Sequence, residues 1–166
     1  MDAIFKRKSI RSYTGEKVSQ EDLKKVIKAA QASPCARRQY ERVHLTLVEG
    51  ELLNEIENYC ASKGAPNPHP LYGAPQLLVV SVAEVNNVDS ANAAMMIENM
   101  SLEAVELNLG QCVIYGALAM IADNQELIKK LSLPAGFIPV GGLTLGISEE
   151  KYEVREVEVY DVNYVS

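Results

Sequence analysis

The segment from Asp89 to Leu109 restricts the possible folds of this chain more than any other. Asp89 is a good helix N-cap and Gly110 a natural stop, so one long helix is predicted between them. Asn92, Asn99, Glu103 and Glu106 fall on one narrow stripe of it. Almost everything else is apolar, including Ala93, Met95, Met96, Ile97, Met100, Leu102, Ala104, Val105 and Leu107. A helix that is apolar round most of its circumference is buried round most of it. At 166 residues the chain has the length of one domain, residues 1–166, with a respectable core. A domain of that size seldom covers such a helix unaided, so a partner subunit is expected to supply part of the cover.

The remaining sequence alternates helix and strand. Residues 2–8 predict a short helix, and Ser19 to Ala32 a clearer one. Ser19 with Asp22 has the pattern of a capping box, and Leu23, Val26, Ile27 and Ala30 form one apolar stripe. Pro34 closes that helix by disfavouring helical geometry in Ser33. Val43 to Val48 alternates like a strand with one face buried. Residues 50–63 predict a helix with Leu52, Leu53, Ile56, Tyr59 and Cys60 inward and Gly64 as its stop. Pro66, Pro68, Pro70 and Pro75 exclude regular structure from the loop that follows. Gln76 to Val82 is nearly continuous apolar sequence, hence an interior strand. A shorter helix opens at Asp123 and Asn124, and Phe137 to Ile147 predicts another strand. From Tyr152 to Val165, valines alternate with charged residues, the pattern of an extended arm or edge strand. This order gives an α+β or α/β domain.

Several classes are disfavoured. With 16 cations against 22 anions the chain is acidic, without the basic footprint of a general nucleic-acid binder. No stretch approaches the roughly 18 unbroken apolar residues of a membrane helix, and the first residues lack the layout of a secretory signal. Cys35, Cys60 and Cys112 are spaced for neither a disulfide framework nor a zinc site. The expectation is a cytoplasmic protein without membrane, nucleic-acid or metal partners.

Two local features carry chemistry. Arg7-Lys8-Ser9-Ile10-Arg11 places three cations and a hydroxyl in five residues of an acidic chain. It reads either as a solvated basic patch or as a phosphate clamp, in which guanidinium groups grip oxygens bidentately and Ser9 adds a donor. Ser33-Pro34-Cys35-Ala36-Arg37-Arg38-Gln39 reads either as a polar connecting turn or as a ligand-lining loop. Within it Cys35 is more simply a packing residue than a nucleophile, since no His or second Cys stands beside it in sequence. Gly141-Gly142-Leu143-Thr144-Leu145-Gly146 has the wrong spacing for a dinucleotide fingerprint and belongs in a closely packed strand.

Taken in order, these blocks resemble the nitroreductase family. Arg7-Lys8-Ser9-Ile10-Arg11-Ser12-Tyr13 is similar to its Arg-Arg-Ser-x-Arg-x-Phe opening, and Ala32 to Gln39 to its Ala-Pro-Ser-x-x-Asn-x-Gln-Pro-Trp loop. Gly73-Ala74-Pro75 before an apolar strand, and a long helix ending in Leu109-Gly110-Gln111-Cys112-Val113-Ile114-Tyr115-Gly116, match later landmarks. The resemblance spans essentially the whole chain. It implies an α+β, three-layer fold: a mixed, mostly antiparallel sheet flanked by helices, with a long buried central helix and a C-terminal extended arm. It also implies a homodimer with FMN in clefts at the subunit interface, NAD(P)H as electron donor and a small-molecule electron acceptor.

By position, the resemblance assigns Arg7, Lys8 and Ser9 to the phosphate and ribityl end, and Arg11 to the pyrimidine end of the ring. Pro34, Cys35, Ala36, Arg37 and Gln39 would line the cleft. Val113, Ile114, Tyr115 and Gly116 would pack near the ring face, and Lys151 and Arg155 would be further phosphate ligands. Because the flavin performs the redox step, no residue is assigned as catalytic. The chain departs from the family pattern at Arg37, where the family has Asn, at Tyr40-Glu41, where it has Pro-Trp, and at Tyr115, where an acidic residue is frequent. It is also short. The implied activity is transfer of electrons from NAD(P)H to a nitroaromatic or quinone by a ping-pong cycle; the alternative is a flavin carrier, store or sensor with little turnover.

Overall fold

Residues 2–165 are described by a computed structural model. In chain order the elements are α1 (Ala3–Lys6), α2 (Gln20–Gln31), β1 (Val43–Glu49), α3 (Gly50–Ser62), β2 (Gln76–Val82), α4 (Asn87–Glu106), β3 (Gly110–Ile114), α5 (Gly116–Ile121), α6 (Gln125–Lys130) and β4 (Ile138–Gly146). The strands form one sheet in the order β1-β2-β4-β3. All three pairings are antiparallel. Every residue of β2 is buried, as its nearly continuous apolar sequence leads one to expect, and Gln76 and Ser81 are buried with it. Because side chains alternate across a strand, Leu78, Val80 and Val82 face one layer of helices, α2 and α4, while Leu77 and Val79 face the other, α3, α5 and α6. The result is the expected α+β arrangement of three layers.

The central helix begins and ends differently from the expectation. Its N-cap is Asn86, whose side chain accepts from the amides of Val88 and Asp89 at 3.0 and 2.9 Å. Asp89 lies inside the first turn, where the helix dipole also favours an anion. At the other end the left-handed residue is Asn108, with φ 54°, and Leu109 N bonds Ala104 O at 2.8 Å. Gly110 therefore opens β3 instead of stopping the helix. A side chain at Gly110 would meet Ser148 Cβ at 2.9 Å and Tyr13 at 3.0 Å, so close packing explains the glycine.

The polar stripe of α4 also faces inward in part. Asn92 is buried and Asn99 donates to Ala29 O at 3.2 Å. Outward instead lie Val88, Ala91, Ala94 and Glu98, with Met95 and Leu102 half-buried. Among the described residues this side of the helix is only partly covered.

Other differences are local. At the start of α2 the Asp22 amide donates to Ser19 Oγ at 3.1 Å, but the Asp22 carboxylate accepts from the Ser19 hydroxyl, not its amide. β1 is an edge strand in which Val48 alone is buried. β3 and α5, of five and six residues, are too short for the sequence pattern alone to predict. The tail beyond Gly146 forms no helix or strand among the described residues. Its start is tied down by Tyr152 Oη to Leu109 O at 2.7 Å and Arg155 N to Phe5 O at 3.0 Å. Beyond that, Val157, Val159, Tyr160, Val162, Tyr164 and Val165 are 52–94% exposed. No helix among the described residues is long and apolar enough to cross a membrane.

Candidate functional site

The basic segment is held by its backbone. Gln111, fully buried at the start of β3, donates from Nε2 to Lys8 O at 2.8 Å and accepts at its own carbonyl from Ile10 N at 2.8 Å. Ser101 of α4 donates to Gln111 Oε1 at 3.1 Å, so the buried amide is satisfied. Ile10 is fully buried and pins the segment between its charged neighbours. Tyr13 Oη lies 2.8 Å from Thr144 Oγ1, and burial pushes its phenol well above the usual range.

The cations gather along this segment. Arg7 Nε stands 3.8 Å from Glu98, and Lys8 Nζ 3.2 Å from Glu150. Arg155 Nε donates to Arg7 O at 2.9 Å, which brings the arm against the segment, while Lys151 is exposed on the arm. Ser9 is half-buried between them. Partly exposed pairs of this kind contribute little, so an anion can replace the carboxylates at small cost. The guanidinium of Arg11 lies 5.6 Å from the centre of the Tyr72 ring.

Tyr72 connects this segment to the third block. A crevice of about 220 Å³ is lined by Pro66, Asn67, Tyr72, Val113, Tyr115 and Gly116, among others, including Ile114. Tyr115 is 72% exposed at the start of α5, and Val113 is exposed on β3. Arg11, Tyr72 and Val113 to Gly116 thus belong to one place.

The second block lies elsewhere. Ser33 Oγ donates to Ala30 O at 2.7 Å, and Asn92 Oδ1 accepts from Ala36 N at 3.0 Å, anchoring the loop to α2 and α4. Arg37 and Arg38 both adopt left-handed backbone, φ 56° and 58°, which costs free energy in side-chain-bearing residues and recurs at functional sites. Pro34 and Cys35 line an apolar cavity of about 620 Å³ with Tyr40, Leu45, Leu47 and Met96. Ala36, Arg37 and Gln39 border a separate polar hollow of about 750 Å³ beside Arg42, Glu84 and Asp89. The apolar cavity, the polar hollow and the crevice beside Tyr72 share no lining residue.

Under that hollow sits an ion pair the sequence reading missed. The Asp89 side chain is 2% exposed and accepts from Arg42 at 2.6 to 3.2 Å, with Glu84 on the same guanidinium at 3.1 Å. Arg42 holds the Asp89 carboxyl below the ordinary carboxylate range. A depressed folded-state pKa stabilises the fold fully above the unfolded value of about 3.9, and that contribution is lost as pH falls through the folded value. Asp89→Asn is therefore expected to be less stable at neutral pH and to lose less of its stability between about pH 4 and pH 2. Acid titrations followed by circular dichroism check this; identical acid limbs would contradict it.

The other missed residues had only weak signals. Tyr72 is the aromatic that closes the proline-rich loop, Gln111 the polar residue before an apolar run, and Asn92 part of the one polar stripe of the central helix. Of the remaining thiols, Cys60 is pushed up to about 11 by burial, which makes it inert.

The nitroreductase family model matches residues 4–147. The chain belongs to the nitroreductase family. Among curated proteins, an FMN reductase [NAD(P)H] of Bacillus subtilis is 26% identical over 87% of this chain and 64% of its own length. The chain therefore spans a little under two thirds of that relative. Among solved structures, a nitroreductase with bound FMN from Desulfitobacterium hafniense superposes with a TM-score of 0.87 at 19% identity, covering 99% of this chain and 97% of that one. A nitroreductase with bound FMN from Bacteroides fragilis gives 0.83 at 24% identity over the same shares. At these identities the structural matches establish the nitroreductase fold.

Proposed function

We propose that this nitroreductase-family chain is an FMN-dependent NAD(P)H oxidoreductase, folded as one domain over residues 1–166 and active as a homodimer. One observation carries the reading: in an acidic chain, Arg7, Lys8 and Arg11 stand together on a backbone segment fixed by Gln111, and Arg155 of the arm bonds that segment at Arg7 O. That donor set fits a phosphate-bearing cofactor, with several cations of low-cost pairing and a hydroxyl, and Arg11 is joined to the crevice through Tyr72. The FMN named for the relatives supports the identity of that cofactor.

Arg7, Lys8 and Ser9 hold the phosphate, with Arg155 and Lys151 adding charge from the arm. Arg11 stands at the pyrimidine end, where a cation stabilises negative charge gained on reduction. Val113, Ile114, Tyr115 and Gly116 wall the crevice. When bound, FMN supplies the chemistry, accepting electrons from NAD(P)H and passing them to an electron-poor nitroaromatic or quinone. Pro34, Cys35, Ala36, Arg37 and Gln39 lie apart from these groups within one subunit, so they reach the cofactor from the second copy. The partly covered side of α4 and the apolar arm supply surface for that association.

The test is kinetic. NADH or NADPH added without oxygen is expected to bleach the bound chromophore rapidly, and steady-state turnover to give parallel double-reciprocal lines. Intersecting lines would overturn the ping-pong cycle. Absence of bleaching by either nucleotide would replace the enzyme with a flavin carrier or sensor.

A further inference from the structure

Arg11 is a long, exposed side chain, and such a chain ordinarily samples many rotamers. Here it has a fixed platform. The Tyr72 ring sits 5.6 Å from the guanidinium carbon, within the range at which a cation is drawn to an aromatic face. Glu150, the acid nearest the Arg11 backbone, is engaged by Lys8 Nζ at 3.2 Å and does not take the guanidinium.

The platform is itself rigid. Tyr72 has φ 59°, a left-handed conformation that bulky residues rarely adopt. It is imposed by Tyr72 N to His69 O at 2.9 Å and Ala74 N to Leu71 O at 3.1 Å. Leu71, 1% exposed, is anchored in the core, and its amide donates to Glu57 of α3 at 3.2 Å. Strain of this kind persists only where the surroundings over-determine it. The same Tyr72 ring lines the crevice with Val113 and Tyr115.

We propose that Tyr72 is a positioning residue: it holds the Arg11 guanidinium at the mouth of the crevice and thereby sets how strongly this chain favours reduced over oxidised flavin. The inference rests on the FMN reading above. An untethered Arg11 still carries its charge, but must lose rotamer freedom each time that charge is used. Removing the ring therefore weakens binding of the reduced form more than the oxidised form and makes the bound potential more negative.

The experiment measures FMN affinity and the potential of bound FMN, by fluorescence titration and redox-dye equilibration, in the parent, Tyr72→Leu, Tyr72→Phe, Arg11→Gln and the double variant. Tyr72→Leu is expected to weaken the reduced form about 2- to 30-fold, the range of a cation–aromatic contact, and Tyr72→Phe to stay close to the parent. With Arg11→Gln already present, Tyr72→Leu should add almost nothing, because both act through one group. Additive effects would show Tyr72 acting on the flavin directly and overturn the positioning role. An unchanged potential in a folded Tyr72→Leu or Tyr72→Gln protein that binds FMN would overturn it while leaving the cofactor reading intact. Failure of the parent to bind FMN would overturn both. Should Tyr72→Leu not fold, Tyr72→Gln carries the comparison.

Discussion

Arg7→Ala is expected to weaken FMN binding by about 1.5–3 kcal/mol, the range for hydrogen bonds to charged groups, or roughly 10- to 150-fold in Kd. The loss should be this large because the guanidinium is already placed. Its backbone is gripped on both sides, by Ala3 O at 2.7 Å from Arg7 N and by Arg155 at Arg7 O. Its present partner, Glu98, is 3.8 Å away and half exposed, so little is surrendered when a phosphate takes its place. Arg7→Lys should recover only part of the affinity, since an ammonium cannot make the bidentate contact. Raising the salt concentration should shrink the difference between parent and variant. Fluorescence titration of apo-protein checks this, and equal affinity in parent and Arg7→Ala would place the phosphate elsewhere.

Met100→Ala is expected to destabilise the fold by about 2–5 kcal/mol, the cost of truncating a large buried side chain. Met100 is fully buried near the middle of α4, in the cluster that joins α2, α4 and the sheet. Truncation leaves a void in a cluster that also holds Leu78, Leu143 and Leu145 of the strands and Val26 and Ala30 of the neighbouring helix. Urea unfolding at fixed protein concentration should show a lower midpoint with an unchanged slope. A change below about 1 kcal/mol would mean that this part of the core collapses onto the gap.

How much of this was legible depends on the length of the signal. The layering was, because β2 is nearly continuously apolar and α2 and α3 carry clean helical stripes, and these periodicities are set by backbone geometry. The boundaries of α4 were not. Asn86 and Asp89 are both competent N-caps, and the choice between them was made by Arg42, a residue remote in sequence. Likewise the burial of Asn92 depends on a loop amide at Ala36 that no periodicity reveals. β3 escaped notice because five residues are too few to show alternation.

At the site, the cations were visible as composition, but their partners were not. Gln111 and Tyr72 act through tertiary contacts, and nothing in their local sequence distinguishes them from ordinary strand and loop residues. The separation of the Pro34 to Gln39 loop from the basic segment is likewise a property of the fold. It is consistent with the expected cleft between two subunits, to which the loop and the segment would come from different copies.

Native mass spectrometry of the purified protein is the most direct test of whether positive side chains near the N-terminus hold FMN at a site completed by a second copy. The expected result is a dimer carrying two FMN molecules, with the flavin lost selectively from Arg7→Ala while the dimer persists. A monomer without flavin, unchanged after FMN is added, would contradict it.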